Sequence, residues 1–208
     1  MDPATIIILG IGAAVVAAIE IYQYIQKKNK EIEAAVAALE TYSQTYSFEP
    51  CDEVLIQKVS NYLNIKFKND YEAVFNQYQT LEEKKAFFQI IAKEIAAEMQ
   101  IELDSCTITS IDDYTRGLTN SDGKSIVINE ILLIVDPKQA IETLCHELRH
   151  CMQFQAINDN KWGFSPERLA SWLYSFQRYN ESQEVYLAYF NTIVEVDANK
   201  FANKVINN

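Results

Sequence analysis

Apolar residues recur every three or four positions over most of the chain, which is the spacing that predicts amphipathic helices. The clearest case follows Thr80, which forms a capping box with Glu83 and starts a helix predicted over 81–99. Shorter helices are predicted over 52–63 and 71–78. Most of the chain is therefore expected to be helical.

Two short segments in the middle of the chain alternate between apolar and polar residues, which is the pattern of half-buried strands. They cover 107–111 and Ser125–Asn129, and the turn sequence Asn-Ser-Asp-Gly at 120–123 precedes the second one. A small sheet with a hairpin is expected here. The predicted fold class is α+β, a predominantly helical domain with a small sheet.

Three further helices are predicted in the C-terminal half. Asp136 followed by Pro137 combines an N-cap with a proline at the first helical position, so a helix should run from there to about residue 155. Ser165-Pro166 starts the next helix in the same way. The last helix is expected from about 192 to about 205.

The N-terminus carries a long apolar segment. Residues 4–19 read ATIIILGIGAAVVAAI, Glu20 interrupts the run, and apolar and tyrosine residues continue it to Ile25. Counted through Ile25, the segment reaches the roughly 20 residues that a bilayer-spanning helix needs. We therefore predict that residues 1–27 form an N-terminal hydrophobic helix that is a single-pass membrane anchor. A cleaved signal peptide and a buried or oligomerising helix are the alternatives.

Charge and spacing set the expected organisation around that anchor. Asp2 precedes the apolar segment, whereas Lys27, Lys28 and Lys30 follow it. By the positive-inside rule the main domain should then lie in the cytoplasm. We expect residues 28–49 to form a helical stalk and linker, and residues 50–208 to form the main domain.

The overall charge bears on the class of partner. The chain contains 29 acidic and 18 basic residues, for a net charge of −11. No basic stripe is available to neutralise phosphates, so a nucleic acid is not an expected partner. The charge does not identify a partner, and acidic surfaces that aid solubility are its simplest explanation.

Four cysteines are present, and none forms a CxxC pair: Cys51, Cys106, Cys145 and Cys151. We expect them to be reduced and mostly buried, which agrees with a cytoplasmic domain. The alternative is a thiol near a metal that makes the site redox-sensitive.

The sequence HELRH places both histidines of the chain, His146 and His150, four residues apart on the helix predicted after Pro137. Residues at this spacing lie on one face of a helix, so two imidazoles can bind one metal ion. Glu147 can reach a metal-activated water as general base. This pattern predicts a zinc-dependent hydrolase.

A catalytic zinc needs a third protein ligand, and with no other histidine that ligand should be a carboxylate. Glu195 is the best candidate, and Asp197, Glu184 and Glu181 remain alternatives. Glu195 could instead close a capping box begun by Thr192. Asp197 could hold a ligand histidine, or could be an acidic residue favoured by the helix dipole.

HELRH followed by the sequence Glu-Val-Asp-Ala at 195–198 resembles the gluzincin branch of zinc metallopeptidases, in particular the compact metallopeptidase domains of bacteria and mobile elements. The resemblance covers about residues 81–205 and implies a zincin-like domain. His146, His150 and Glu195 would be the zinc ligands, and Glu147 the base. A peptide substrate would lie along an exposed edge strand, which we expect to be Ser125–Asn129. The stretch between His150 and Glu195 is longer than in the family, with an extra aromatic helix.

The expected function is a membrane-tethered zinc peptidase that acts on a protein or peptide. A non-catalytic, zincin-derived binding or scaffold module is the alternative, and an anchored assembly protein with a coincidental motif is a third reading. We expect Arg149 and Gln153 to be surface residues or to support the ligands. Candidates to donate a hydrogen bond to the oxyanion are Tyr114, Tyr186 and Tyr189.

Overall fold

In the computed structural model, the described residues are 46–112, 114–179 and 192–208. They form a mostly helical α+β domain, as the sequence predicts. The hydrophobic helix predicted over 1–27 and most of the stalk predicted over 28–49 lie outside these residues. Among the described residues, no helix is long and apolar enough to cross a membrane.

Seven helices are found in the described part of the chain: α1 (Pro50–Phe67), α2 (Tyr71–Phe75), α3 (Leu81–Glu98), α4 (Leu132–Val135), α5 (Pro137–Asn158), α6 (Pro166–Tyr179) and α7 (Ile193–Asn207). Six of them were predicted, with ends that differ by a few residues. The exception is α4, a single turn that is too short for an apolar period to reveal.

Side-chain caps at two helix starts agree with the sequence prediction. The Thr80 side chain accepts a hydrogen bond from the Glu83 N–H, and the Glu83 carboxylate accepts one from the Thr80 N–H, so the predicted capping box is confirmed. The Asp136 carboxylate likewise accepts a hydrogen bond from the Gln139 N–H at 2.9 Å and caps α5. These caps satisfy N–H groups that have no partner within the helix.

The sheet has three strands, β1 (Ser105–Thr109), β2 (Gly117–Thr119) and β3 (Ser125–Asn129), in the order β1-β3-β2. β3 pairs with β1 in parallel and with β2 in an antiparallel hairpin, so the predicted small sheet with a hairpin is confirmed. The expectation that Ser125–Asn129 is an edge strand is wrong. The three-residue strand β2 occupies that edge, and it is too short to show an alternating pattern.

Helix α5 lies at the centre of the domain. It contacts α6 and α7 on one side and β2 and β3 on another. Its inward side chains are fully buried, and they include Leu144, Cys145, Leu148 and Cys151. Cys106 is also buried, and all four cysteines are free thiols, as expected. Because α5 is covered on several sides, the polar residues of its HELRH segment are inside the protein.

Candidate metal centre

The two histidines of HELRH lie one above the other on α5. Their Nε2 atoms are 3.0 Å apart, and the rings are nearly perpendicular, with 83° between their planes. The four-residue spacing therefore brings both imidazoles to one point, as the sequence predicts.

The third group at this point is Glu195, in the first turn of α7. Its Oε1 lies 3.2 Å from Nε2 of His150, and its Oε2 lies 3.3 Å from Nε2 of His146. The Thr192 side chain makes no capping hydrogen bond, so the alternative role of Glu195 in a capping box is wrong. The carboxylate faces the histidines instead, with one oxygen for each ring.

These distances suit one small metal ion. A tetrahedral ion with bonds of about 2.0–2.1 Å separates its ligand atoms by about 3.3 Å. The two Nε2 atoms lie 3.0 Å apart, and each lies 3.2–3.3 Å from one of the two Glu195 carboxylate oxygens. One ligand atom from each of the three residues lies within 4.8 Å of the others. Two imidazoles and one carboxylate are a donor set that suits zinc better than calcium or magnesium.

The electrostatics of the cluster also favour a cation. Burial opposes protonation of His150, but the Glu195 carboxylate beside it outweighs this effect and raises the pKa of His150 to about 9. Burial would raise the pKa of Glu195, yet the two histidines hold it well below its usual range. In the metal-free protein a proton therefore supplies the positive charge that the carboxylate requires.

Glu147 contacts strand β2. One of its carboxylate oxygens accepts a hydrogen bond from the Thr119 hydroxyl at 2.7 Å, and only 6% of the residue is exposed. Glu147 nevertheless lies close enough to His150 to contribute to its raised pKa. It is therefore beside the histidines without being a third donor, which is the arrangement that a general base needs.

Strand β2 can approach Glu147 this closely because residue 117 is a glycine. A Cβ at Gly117 would lie 2.9 Å from both Cγ and Oε1 of Glu147 and 2.9 Å from Cγ2 of Thr143. Such distances are well inside van der Waals contact. Gly117 thus allows the strand backbone to pass directly over the glutamate side chain.

The side chain next to Nδ1 of His150 is Gln153, and not Asp197, which the sequence suggested as one alternative. The Gln153 Oε1 atom lies 2.9 Å from Nδ1 of His150. The Gln153 amide donates hydrogen bonds to the Val194 carbonyl at 3.1 Å and to Asp197 at 2.5 Å. Asp197 therefore reaches His150 only through the glutamine.

Arg149 was expected to be a surface residue or to support the ligands. It is fully buried. Its guanidinium donates two hydrogen bonds to Asp197, at 2.8 and 2.9 Å, and one to Asp52 at 2.5 Å. Three aromatic rings lie within 5.3 Å of it, those of Phe164, Trp172 and Phe201. We refer to Arg149, Asp197 and Asp52 as the ionic cluster.

The two acids of the ionic cluster differ in their titration. Burial would raise the pKa of Asp197, but Arg149 and neighbouring donors lower it below its usual value. At Asp52 burial prevails over the attraction of Arg149, and its pKa is raised. Asp197 is thus the principal counter-ion of Arg149.

The segment that enters α1 also contributes to the ionic cluster, which sequence reasoning missed. The Tyr46 hydroxyl donates to Asp197, and Arg168 of α6 donates to Tyr46. Burial raises the pKa of the Tyr46 phenol well above its usual value, so it stays protonated. The sequence offered only one indication of this cluster, namely polar residues at positions of α1, α5 and α7 that face inwards.

The remaining candidate residues are either exposed or outside the described part of the chain. Tyr114 lies in the loop between β1 and β2 and is 89% exposed, unlike a donor held at a buried site. Tyr186, Tyr189, Glu181 and Glu184 lie outside the described residues. Comparison with known proteins gave no match, since no family model, curated protein or solved structure is significantly similar to the chain.

Proposed function

We propose that the protein is a zinc-dependent peptidase with a zincin-like catalytic domain. The observation that carries this proposal is the convergence of His146, His150 and Glu195 at ligand distances from one another. Those residues also occur in the order that resembles the gluzincins, with the helix that bears Glu195 after the helix that bears HELRH. A coincidental motif gives no reason for a distant carboxylate to face both of its histidines.

In this proposal each residue has one role. His146, His150 and Glu195 hold the zinc, which when bound supplies the Lewis acidity that activates a water molecule and polarises a peptide carbonyl. Glu147 takes the proton of the attacking water and gives it to the leaving amine. The Thr119 hydroxyl orients the Glu147 carboxylate, because it lies 2.7 Å from one of its oxygens.

The proposed binding site for a peptide is β2, in place of the central strand that the sequence suggested. The hydrogen bonds that flank β2 join Arg116 and Asn120 to β3. Bonds alternate along an antiparallel strand, so Leu118 also faces β3, whereas Gly117 and Thr119 direct their N–H and C=O groups towards the edge at which no described strand lies. Both residues lie beside Glu147, so an added strand would pass the proposed base.

The membrane tether remains part of the proposal and rests on the sequence alone. The apolar run of residues 4–25 and the lysines after it favour a single-pass anchor with the catalytic domain in the cytoplasm. Extraction behaviour tests it directly. We expect the full chain to stay with the membrane fraction in alkaline carbonate and to be released by detergent.

One observation favours the non-catalytic alternative, a zincin-derived binding or scaffold module. Glu147 is almost fully buried and its carboxylate is already hydrogen-bonded to Thr119. A base in that state must become accessible to water before it can act. A scaffold that only binds metal would have no such requirement.

The deciding experiment compares zinc-loaded wild-type protein with Glu147→Gln, using release of labelled peptides from casein. We expect Glu147→Gln to lower turnover by about a hundredfold or more, in the range for loss of general acid–base catalysis, while zinc content is unchanged. Glu142→Gln is the matched control on the same helix and should behave as wild type. Equal turnover in both variants would contradict the mechanism, and zinc binding without hydrolysis in the wild type would favour the scaffold.

A further inference from the structure

We propose that Gln153 is a positioning residue of the metal centre, which orients His150 so that its Nε2 lone pair faces the metal. This inference deepens the proposed function and rests on it for the identity of the metal. It concerns how the site is held, and it depends on three hydrogen bonds of one fully buried side chain.

The orientation of the Gln153 amide is determined by its neighbours. The Val194 carbonyl and the Asp197 carboxylate are both acceptors, at 3.1 and 2.5 Å. The amide NH2 group has two hydrogens and must face both of them. The amide oxygen is therefore directed to His150, 2.9 Å from its Nδ1 atom. The opposite orientation would place oxygen against oxygen twice.

This orientation determines the state of His150. An oxygen acceptor at Nδ1 requires a hydrogen there, so in the neutral ring the lone pair is on Nε2. Nε2 is the atom that lies 3.0 Å from Nε2 of His146 and 3.2 Å from Glu195. Gln153 thus selects the tautomer that a metal at this site can use.

The glutamine is itself held by the ionic cluster. Arg149 binds Asp197 through two hydrogen bonds, at 2.8 and 2.9 Å, which hold the carboxylate in place. The fixed carboxylate then holds the Gln153 NH2 group. A change at Gln153 therefore removes the contact to His150 without removing any ligand atom. Partners of this kind typically contribute 10-fold to 100-fold to metal affinity.

The chain contains a matched control on the same helix. Gln155 also makes three hydrogen bonds, accepting from the Glu102 N–H at 2.9 Å and donating to the carbonyls of Glu102 and Gly123 at 2.8 and 2.9 Å. Those partners are not at the metal centre. Gln153→Met and Gln155→Met therefore each remove three hydrogen bonds, those of Gln153 being the more buried, and only the first removes a contact with a proposed ligand.

The experiment measures the zinc dissociation constant of the full chain by competition with a chromophoric chelator. We expect Gln153→Met to weaken zinc binding by about 10-fold to 100-fold, and Gln155→Met to leave it within about threefold of the wild type. Equal affinity in the two variants would overturn the inference while leaving the metal site intact. A wild-type protein that binds no zinc would instead refute the proposed function, and the inference with it.

A second readout does not depend on zinc affinity. In the metal-free protein the Nδ1–H of His150 should give a slowly exchanging proton resonance, in the wild type and in Gln155→Met alike. It should be lost in Gln153→Met, and its persistence there would also overturn the inference. If Gln153→Met does not fold, Gln153→Ala with Gln155→Ala as its control takes its place, since alanine leaves room for water at the amide position.

Discussion

Helices α5 and α7 carry two buried polar clusters side by side, and the clusters are built in opposite ways. In the ionic cluster, Arg149 supplies the donors that Asp197 and Asp52 require. In the metal centre, two imidazole nitrogens and a carboxylate face one another, and the only positive charge available among them is a proton on histidine. The ionic cluster contains its own positively charged side chain, whereas the metal centre contains none apart from a protonated histidine and favours a bound cation.

The difference teaches how to separate structural from functional polar residues inside a protein. Burial of a charge is costly unless a partner compensates it, and in the ionic cluster the partner is part of the chain. Where the described residues bring together acceptors without a matching donor, the compensation must come from a proton or a metal. Substitution of a residue in the ionic cluster should therefore lower the stability of the fold, and substitution of a residue in the metal centre should weaken metal binding.

The largest expected effect is on the ionic cluster. Arg149→Met should lower the free energy of unfolding by about 3–5 kcal/mol, because two buried carboxylates lose the arginine that is hydrogen-bonded to both of them. Chemical denaturation of the metal-free protein measures the change. His146→Ala is the comparison from the other cluster and should cost far less. If the two substitutions destabilise equally, the distinction between the clusters is wrong.

Zinc itself should stabilise the protein through the metal centre. At free zinc 100 to 1,000 times the dissociation constant, the free energy of unfolding should rise by about 3–4 kcal/mol. Thermal denaturation with and without zinc measures this gain. Glu195→Gln should lose most of it and Glu142→Gln should keep it. A gain that is equal in both variants would place the zinc elsewhere.

A smaller effect is expected where β2 crosses Glu147. Gly117→Ala puts a methyl group within 2.9 Å of the Glu147 side chain, so we expect a loss of about 1–3 kcal/mol from overpacking. Leu118→Ala, on the exposed side of the same strand, is the control and should cost less. Chemical denaturation compares the two. An unchanged stability in Gly117→Ala would mean that β2 does not pack against the glutamate.

An effect of similar size concerns the pH dependence of zinc binding. The pKa of His150 is raised to about 9 in the metal-free protein, so below that pH zinc must displace its proton. Zinc affinity should therefore rise by about tenfold per pH unit from pH 7 and level off for this group near pH 9. Calorimetry in buffers of different ionisation enthalpy should show the released proton. A zinc affinity that does not change between pH 7 and 9 would contradict the shift.

Local features of the sequence predicted local features of the structure. Caps at Thr80 and Asp136 marked helix starts, and the four-residue spacing in HELRH brought the two histidines together. Of the two candidate acids that the structure describes, Glu195 faces both histidines, whereas Asp197 faces Arg149. Each of these depends on residues within one helical turn or on a small set of candidate acids.

Features that depend on distant contacts could not be read from the sequence. Nothing near Asp52 shows that it meets an arginine 97 positions later, and nothing near Gln153 distinguishes it from Gln155. Strand β2 was not predicted, because three residues are too few to show an alternating pattern. It occupies the sheet edge that was expected at Ser125–Asn129. Tertiary packing determines all of these.

The central claim is that His146, His150 and Glu195 bind one zinc ion. The most direct test is the zinc content of the purified full chain after dialysis against buffered zinc, measured by elemental analysis beside His146→Ala and Glu195→Ala. We expect about one zinc per chain in the wild type and a loss of it in both variants. A folded wild-type protein that holds no zinc, or a Glu195→Ala variant that retains it in full, would contradict the claim.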